Sequence, residues 1–103
     1  MEVVWSSECK ISYFKELDFV YEKWNEQEVE NFILLVEEFV ERIERGILQG
    51  KTLHNKNLKS FVISKQTTVF FDYCEDEKII ELLLFWNNSQ NPKSLKMFIN
   101  NLG

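Results

Sequence analysis

The spacing of hydrophobic residues along most of the chain changes near residue 58. Before that point, apolar residues recur every three or four positions, which is typical of helices with one apolar face. After it, apolar residues form short runs rich in β-branched and aromatic types, which favours strands. The pattern therefore predicts an α+β chain in which helices precede most of a sheet.

Two helices are predicted in the N-terminal half. The first begins near Ser6-Ser7-Glu8, and its apolar row consists of Ile11, Phe14, Leu17, Val20, Tyr21 and Trp24. Asn25, with Glu28 three positions later, predicts the N-cap of the second helix. The row of the second helix consists of Val29, Phe32, Ile33, Val36, Phe39, Val40, Ile43 and Ile47, and Gly46 and Gly50 mark its end. With almost no loop between them, the two helices should form an antiparallel hairpin over a common core.

Four strands and a last helix complete the predicted order. The strands are Glu2–Trp5, Leu58–Ser64, Thr67–Tyr73 and Lys78–Trp86, and Lys65-Gln66 forms a tight turn between the second and third. The unbroken apolar run of the last strand predicts a central position in the sheet, and the first strand should pair at an edge. Asn91-Pro92 starts a short helix. The predicted fold is a helical hairpin on an antiparallel meander, with an N-terminal strand and a short C-terminal helix.

Length and composition favour one globular domain over residues 1–103, because 45% of the residues are hydrophobic and 15% aromatic. No apolar run approaches the roughly 20 residues of a membrane span, and the start of the chain lacks the features of a signal peptide. We therefore expect a cytoplasmic protein without membrane contact, in which Cys9 and Cys74 are reduced thiols. With one His in the chain, we expect neither a metal site nor a cofactor.

Charge divides the chain into two parts. Residues 1–46 carry 12 acidic and 5 basic residues, whereas residues 47–103 carry 5 acidic and 7 basic residues. The segment between Ile47 and Phe71 contains no acid; its basic residues and its His are Lys51, His54, Lys56, Lys59 and Lys65. This asymmetry indicates two different surfaces, although the net charge of −5 argues against a surface built as a whole for nucleic acid.

The order of elements and two motifs resemble the RelE/ParE superfamily, the toxin halves of type II toxin–antitoxin modules, which are also called plasmid stabilisation proteins. The motifs are Val3-Val4-Trp5-Ser6-Ser7-Glu8 at the start and Phe85-Trp86-Asn87-Asn88-Ser89-Gln90-Asn91-Pro92 at the end of the last strand. The resemblance extends over essentially the whole chain. It implies a small bacterial cytoplasmic protein that inhibits growth and is neutralised by a cognate antitoxin wrapped over its surface.

The resemblance implies one of two activities. RelE-like members cut messenger RNA on the ribosome with basic residues of the sheet and a C-terminal Arg and Tyr, whereas ParE-like members inhibit DNA gyrase. Here Ser89 stands where an Arg usually precedes Gln-Asn-Pro, and only Lys93 and Lys96 follow Pro92 as charged residues. The nearest match to the usual Arg on the open side of the meander is Lys59. These departures favour a ParE-like protein that binds a protein target.

Two alternatives remain open: a ribosome-dependent mRNA endoribonuclease, and an inactive member that binds only its antitoxin. Cleavage of RNA through its 2′-hydroxyl needs proton-transfer groups and cations, for which Lys59, His54 and Lys56 are the candidates, with Lys51 beside them. The favoured interpretation assigns no catalytic residue.

The candidate binding residues are a set of lysines and one aromatic residue of the meander. A surface for an acidic antitoxin segment would consist of Lys51, Lys59, Lys65, Lys93 and Lys96; the competing interpretation is a solvated loop and strand edge. Phe70 and Phe71 are adjacent in a strand and so cannot face the same core. We therefore expect an apolar patch on the open face and name Phe71 as a binding candidate.

Overall fold

The computed structural model describes residues 1–47, 50–53 and 57–102 and confirms the predicted α+β fold. In chain order, the elements are β1 (Glu2–Trp5), α1 (Ser7–Lys23), α2 (Glu26–Glu44), β2 (Lys51–Thr52), β3 (Leu58–Ser64), β4 (Thr67–Cys74), β5 (Ile79–Asn87) and α3 (Pro92–Leu102). The two-residue strand β2 was not predicted, because two residues are too few to show a period. None of the helices in the described ranges is long and apolar enough to cross a membrane.

Local signals in the sequence determine where the two long helices begin and end. The side chain of Ser6 accepts a hydrogen bond from the backbone N–H of Cys9, and that of Asn25 accepts one from Glu28, both at 3.0 Å. These bonds satisfy N–H groups that have no partner within the helix. At the end of α2, Gly46 has a φ of +72°. The N–H of Ile47 donates to the carbonyl of Arg42 at 3.0 Å, which is the hydrogen bond of a Schellman motif.

The five strands form one sheet in the order β1-β5-β4-β3-β2. As predicted, β1 lies at an edge; it runs parallel to β5, whereas the other strands pair antiparallel. The predicted turn at Lys65-Gln66 joins β3 to β4. β5 therefore lies inside the sheet, between β1 and β4, in agreement with its long apolar run.

A β-bulge in β5 changes which of its residues face the helices. Phe71 pairs with Leu82 and Phe70 with Leu84, so that Leu83 is the extra residue. Before the bulge, Leu82 faces the hairpin, and after it Phe85 does, because the additional residue reverses the alternation. Two side chains at the start of the hairpin bond to this irregular backbone: Ser6 donates to the carbonyl of Leu83 at 3.4 Å, and Ser12 accepts from the N–H of Phe85 at 2.9 Å.

The main core lies between the hairpin and the sheet, and α2 supplies most of its helical side. Its buried apolar residues include Phe32, Val36, Phe39, Ile43, Val69, Phe71, Ile80, Leu82 and Phe85. The predicted row of α2 is confirmed in these four helical positions. Ile47 is exposed, because the helix has already ended at Gly46.

The prediction for α1 was wrong about which side of the helix is buried. Its buried residues are Cys9, Glu16 and Val20, whereas four members of the predicted row are exposed: Ile11, Phe14, Tyr21 and Trp24. Apolar residues lie on more than one side of α1, so their spacing alone does not determine its orientation. The orientation follows instead from the hydrogen bond of Ser12 to β5 and from the ring of Tyr13, which lies 5.2 Å from that of Phe85.

The opposite face of the sheet carries a second, smaller apolar cluster. Phe71 is 0% exposed in the main core, and its neighbour Phe70 is 5% exposed on the other face with Leu84. The two phenylalanines thus face opposite sides, as predicted, but Phe70 does not form an exposed patch. The half-buried residues of α3 are Leu95, Phe98 and Ile99, at helical spacing. These residues give α3 one apolar side.

Shortening Phe71 to alanine should lower the free energy of unfolding by about 3–5 kcal/mol, because it leaves a cavity in the main core. Urea denaturation followed by circular dichroism measures the loss. Val62→Thr, an exposed change on β3, is the control and should change stability by no more than about 0.5 kcal/mol. If Phe71→Ala does not fold, Phe71→Leu should show a smaller but measurable loss. Equal stability of Phe71→Leu and Val62→Thr would contradict this packing.

Candidate functional site

Lys59, the principal cationic candidate, does not lie on the open face of the sheet. It pairs with Phe71 across β3 and β4, and directly paired residues share a face, so Lys59 lies on the side of the hairpin. Its Nζ atom donates to the hydroxyl of Thr52 at 3.0 Å and lies 5.7 Å from the ring centroid of Tyr73. The expected match to an open-face cation is therefore wrong, because the register of β3 turns this side chain the other way.

Among the candidates that the structure describes, Lys51 does not share a face of the sheet with Lys59. His54 and Lys56 lie outside the described residues. Lys51 is exposed in β2 and pairs with Ser60, which places it on the face opposite the hairpin.

Three further lysines lie elsewhere on the molecule. Lys65 is exposed in the turn after β3, while Lys93 and Lys96 are exposed on α3. Along β3, Lys59 and Lys65 are separated by about 20 Å, at roughly 3.3 Å per residue. The structure thus distributes the predicted cations over separate regions.

The face of the sheet opposite the hairpin carries acidic rather than basic side chains on its three longest strands. Asp72 of β4 and Glu81 of β5 are direct cross-strand partners on this face. In β3, β4 and β5, which the structure describes throughout, no Lys or Arg lies on it. Paired carboxylates repel a phosphate, so these strands do not form a surface suited to an RNA backbone.

Phe71, the aromatic binding candidate, is a core residue. Its ring lies 5.7 Å from that of Phe39, and its side chain packs against Gly50. A Cβ atom at position 50 would lie 2.8 Å from Cζ of Phe71 and 2.9 Å from the carbonyl oxygen of Ser60, at a φ of +73°. Only glycine therefore fits at position 50. Phe71 is enclosed in the core and cannot contact a partner in the folded chain.

A buried polar cluster that the sequence did not reveal joins α1 to the ends of β4 and β5. Glu16, 5% exposed, accepts hydrogen bonds from the hydroxyl of Thr67 and, at 3.5 Å, from the amide of Asn87. The side-chain oxygen Oδ1 of Asn87 in turn accepts from the backbone N–H of Ser89 at 2.9 Å and from its hydroxyl. Ser89, at the position where the family resemblance leads one to expect Arg, orients the side chain of Asn87.

Glu16 links α1 to the sheet through its hydrogen bonds with Thr67 and Asn87. Burial raises the pKa of its carboxyl, and its hydrogen bonds from Thr67 and Asn87 partly oppose that rise. The described hydrogen-bond partners of Glu16 are neutral, so the cluster offers no nucleophile paired with a base. The signal in the sequence was its position on the same helical face as Cys9 and Val20, which are seven and four residues away from it.

The two thiols lie in different environments. Burial raises the pKa of Cys9 to about 12, whereas Cys74 is half-buried at the end of β4. Since the thiolate is the nucleophilic form, Cys9 is unreactive in the folded chain. Among the described residues, no three His, Cys, Asp or Glu side chains lie together so as to hold a metal ion.

The outer surface of the helical hairpin has a groove, here called the hairpin groove, along the seam between α1 and α2. Near the start of α2 it has a volume of about 360 Å³ and is lined by Leu17, Asp18, Tyr21, Glu26, Val29 and Glu30. Towards the end of α2 a second part, of about 390 Å³, is lined by Trp5, Tyr13, Val36, Glu37, Val40, Glu41 and Glu44. Both parts are lined by apolar side chains and by carboxylates.

Comparison with solved structures finds the same fold in a toxin. The chain is similar to a YoeB/ParE toxin from Agrobacterium tumefaciens, with a TM-score of 0.60 and 11% sequence identity, over 85% of this chain and 99% of that one. No protein-family model matches the sequence. No curated protein matches it either. The RelE/ParE-like fold expected from the resemblance is thus confirmed.

Replacing Glu16 with Gln should stabilise the chain increasingly as pH rises. The carboxyl is charged in the unfolded chain above its ordinary pKa of 4.5, but its pKa is raised in the folded chain. Ionisation of Glu16 therefore destabilises the folded state relative to the unfolded state. This destabilisation is absent below the unfolded pKa and grows as pH rises through the folded pKa. Gln retains an accepting oxygen and causes no such destabilisation.

Urea unfolding at about pH 4 and about pH 8 tests the difference in stability between the variant and the original chain. Glu22→Gln, an exposed change on the same helix, is the matched control and should show no growing difference. A constant difference for Glu16→Gln at both pH values would contradict a raised pKa.

Proposed function

We propose that this chain is the toxin component of a type II toxin–antitoxin module, a growth inhibitor that a cognate antitoxin neutralises. The observation that carries the proposal is the likeness in fold to the YoeB/ParE toxin, which extends over nearly the whole of that protein. The motifs that resemble the superfamily support it independently, since they lie at Val3–Glu8 and Phe85–Pro92. The proposal implies a bacterial, cytoplasmic protein with a role in plasmid stabilisation.

Binding of a protein target is better supported than cleavage of RNA. Cleavage requires a cation that meets the phosphate and groups that move protons. Lys59 is engaged by Thr52 and Tyr73, and the sheet presents Asp72 and Glu81 on its other face. We therefore propose a ParE-like inhibitor that binds a protein, with DNA gyrase as the target that the family resemblance implies.

Inducible expression of the chain alone in a bacterium should stop growth, and DNA synthesis should fall before protein synthesis. Labelled thymidine and labelled methionine, supplied in parallel cultures, measure the two rates. An earlier fall in protein synthesis, with cleaved messenger RNA, would contradict target binding and favour the ribosome-dependent nuclease. Unchanged growth with soluble, folded protein would favour an inactive member that binds only its antitoxin.

Lys59→Ala should leave the growth arrest unchanged, because this side chain contacts its own chain rather than an open surface. The nuclease alternative requires the same substitution to abolish the arrest. Phe71→Ala is the control for loss of the fold, and it should abolish the arrest under either alternative. Immunoblots of the soluble fraction separate loss of activity from loss of protein.

A further inference from the structure

The hairpin groove combines exposed apolar side chains with a row of carboxylates. On α1, Tyr21 lines the groove and is 55% exposed, and on α2 Val29 lines it and is half-buried. The carboxylates of α2 that line the groove are Glu26, Glu30, Glu37, Glu41 and Glu44. Their spacing of three, four and seven residues places them on one side of the helix. Such a surface fits a partner that is apolar along one side and positively charged beside it.

Much of this acidic row is free to meet a cation from outside. Within the described ranges, Glu41 pairs with Arg45 at 3.4 Å, whereas Glu26, Glu30 and Glu37 form no ion pair. Glu37 and Tyr13 line the same part of the groove, and the charge of Glu37 adds to the effect of burial in raising the pKa of Tyr13. An arriving ammonium or guanidinium group would relieve this accumulation of negative charge.

We propose that the hairpin groove binds a basic amphipathic helix of the antitoxin, a proposal that rests on the proposed function. The groove follows α2 from Glu26 to Glu44, about 27 Å at 1.5 Å per residue, which matches a helix of about 18 residues. The apolar side of that helix covers Tyr21 and Val29, and its Lys or Arg residues meet the carboxylates. A second copy of this chain is a poorer occupant, because two acidic rims would repel each other.

The antitoxin segment proposed here is basic, whereas the lysines in the sequence predicted an acidic one. The predicted acidic segment would need Lys51, Lys59 and Lys65 on one surface, and the structure separates them. The acidic residues of α2, in contrast, lie beside apolar residues in both parts of the hairpin groove. The observed charge complementarity therefore favours a basic partner.

Two labelled peptides test the chemistry of the groove directly on the full chain. One is a helical peptide of about 18 residues with leucines at helical spacing flanked by lysines; the other has glutamate in place of each lysine. Fluorescence anisotropy should show binding of the basic peptide at least about tenfold tighter than that of the acidic peptide. Raising salt from about 0.05 M to about 0.5 M should weaken the basic peptide by a similar factor.

Charge-reversal variants locate the binding to the groove. The double change Glu30→Lys and Glu37→Lys should weaken binding of the basic peptide about tenfold or more. The double change Glu22→Lys and Glu38→Lys, outside the groove, should change its affinity less than about twofold.

Apolar variants test the same surface. Tyr21→Asp should weaken binding of the basic peptide, whereas Leu34→Asp, a similarly exposed apolar position outside the groove, should not. All these residues are exposed, and thermal unfolding confirms that the variants fold.

Equal affinity for the two peptides, or equal effects of the two double variants, would overturn the proposal. The proposal would also be overturned if sedimentation detected a dimer that Tyr21→Asp dissociates and Leu34→Asp does not. A second copy of the chain would then occupy the groove. The expression experiment separates this proposal from the toxin assignment. Growth arrest without peptide binding overturns the groove proposal alone, and peptide binding without arrest overturns the toxin assignment alone.

Discussion

A single additional residue in the central region of the sheet determines how the helical hairpin is seated. Because Leu83 is a bulge, Phe85 and Asn87 turn towards α1, and the irregular backbone is left with groups that need partners. Ser6 and Ser12 supply them from the start of the hairpin. The same change brings Asn87 within reach of Glu16 of α1. The contacts of α1 with the end of β5, through Phe85 and through the buried polar cluster, therefore depend on this irregularity.

Features determined by nearby residues were predictable from the sequence. The caps at Ser6 and Asn25, the end of α2 at Gly46 and the turn at Lys65-Gln66 depend on side chains within a few positions of the backbone they affect. The core row of α2 was predictable because its apolar residues lie on one side only. The meander followed from the turns between its strands. The first strand was correctly expected at an edge, because a short N-terminal strand has few ways to join a meander.

Features determined by distant contacts were not predictable in the same way. The orientation of α1 depends on Ser12 meeting a strand more than seventy residues away, and apolar residues on several of its sides gave no unique answer. The face on which Lys59 lies depends on the register of β3 with β4. The burial of Glu16 depends on Thr67 and Asn87 reaching it. Because of these contacts, the structure favours the hairpin groove over the lysines as the candidate binding surface.

The two cysteines differ in burial, so their reactivity can be used to detect detachment of α1 from the sheet. Cys74 lies near the surface at the end of β4, whereas Cys9 lies on the buried side of α1, in the core against the sheet. A thiol reagent can reach Cys9 only when the hairpin lifts from the strands, because the thiolate forms readily only in water. The rate of its modification thus measures how often α1 detaches, without any introduced label. An occupant of the hairpin groove that holds α1 in place would slow that rate, while Cys74 would serve as the internal standard.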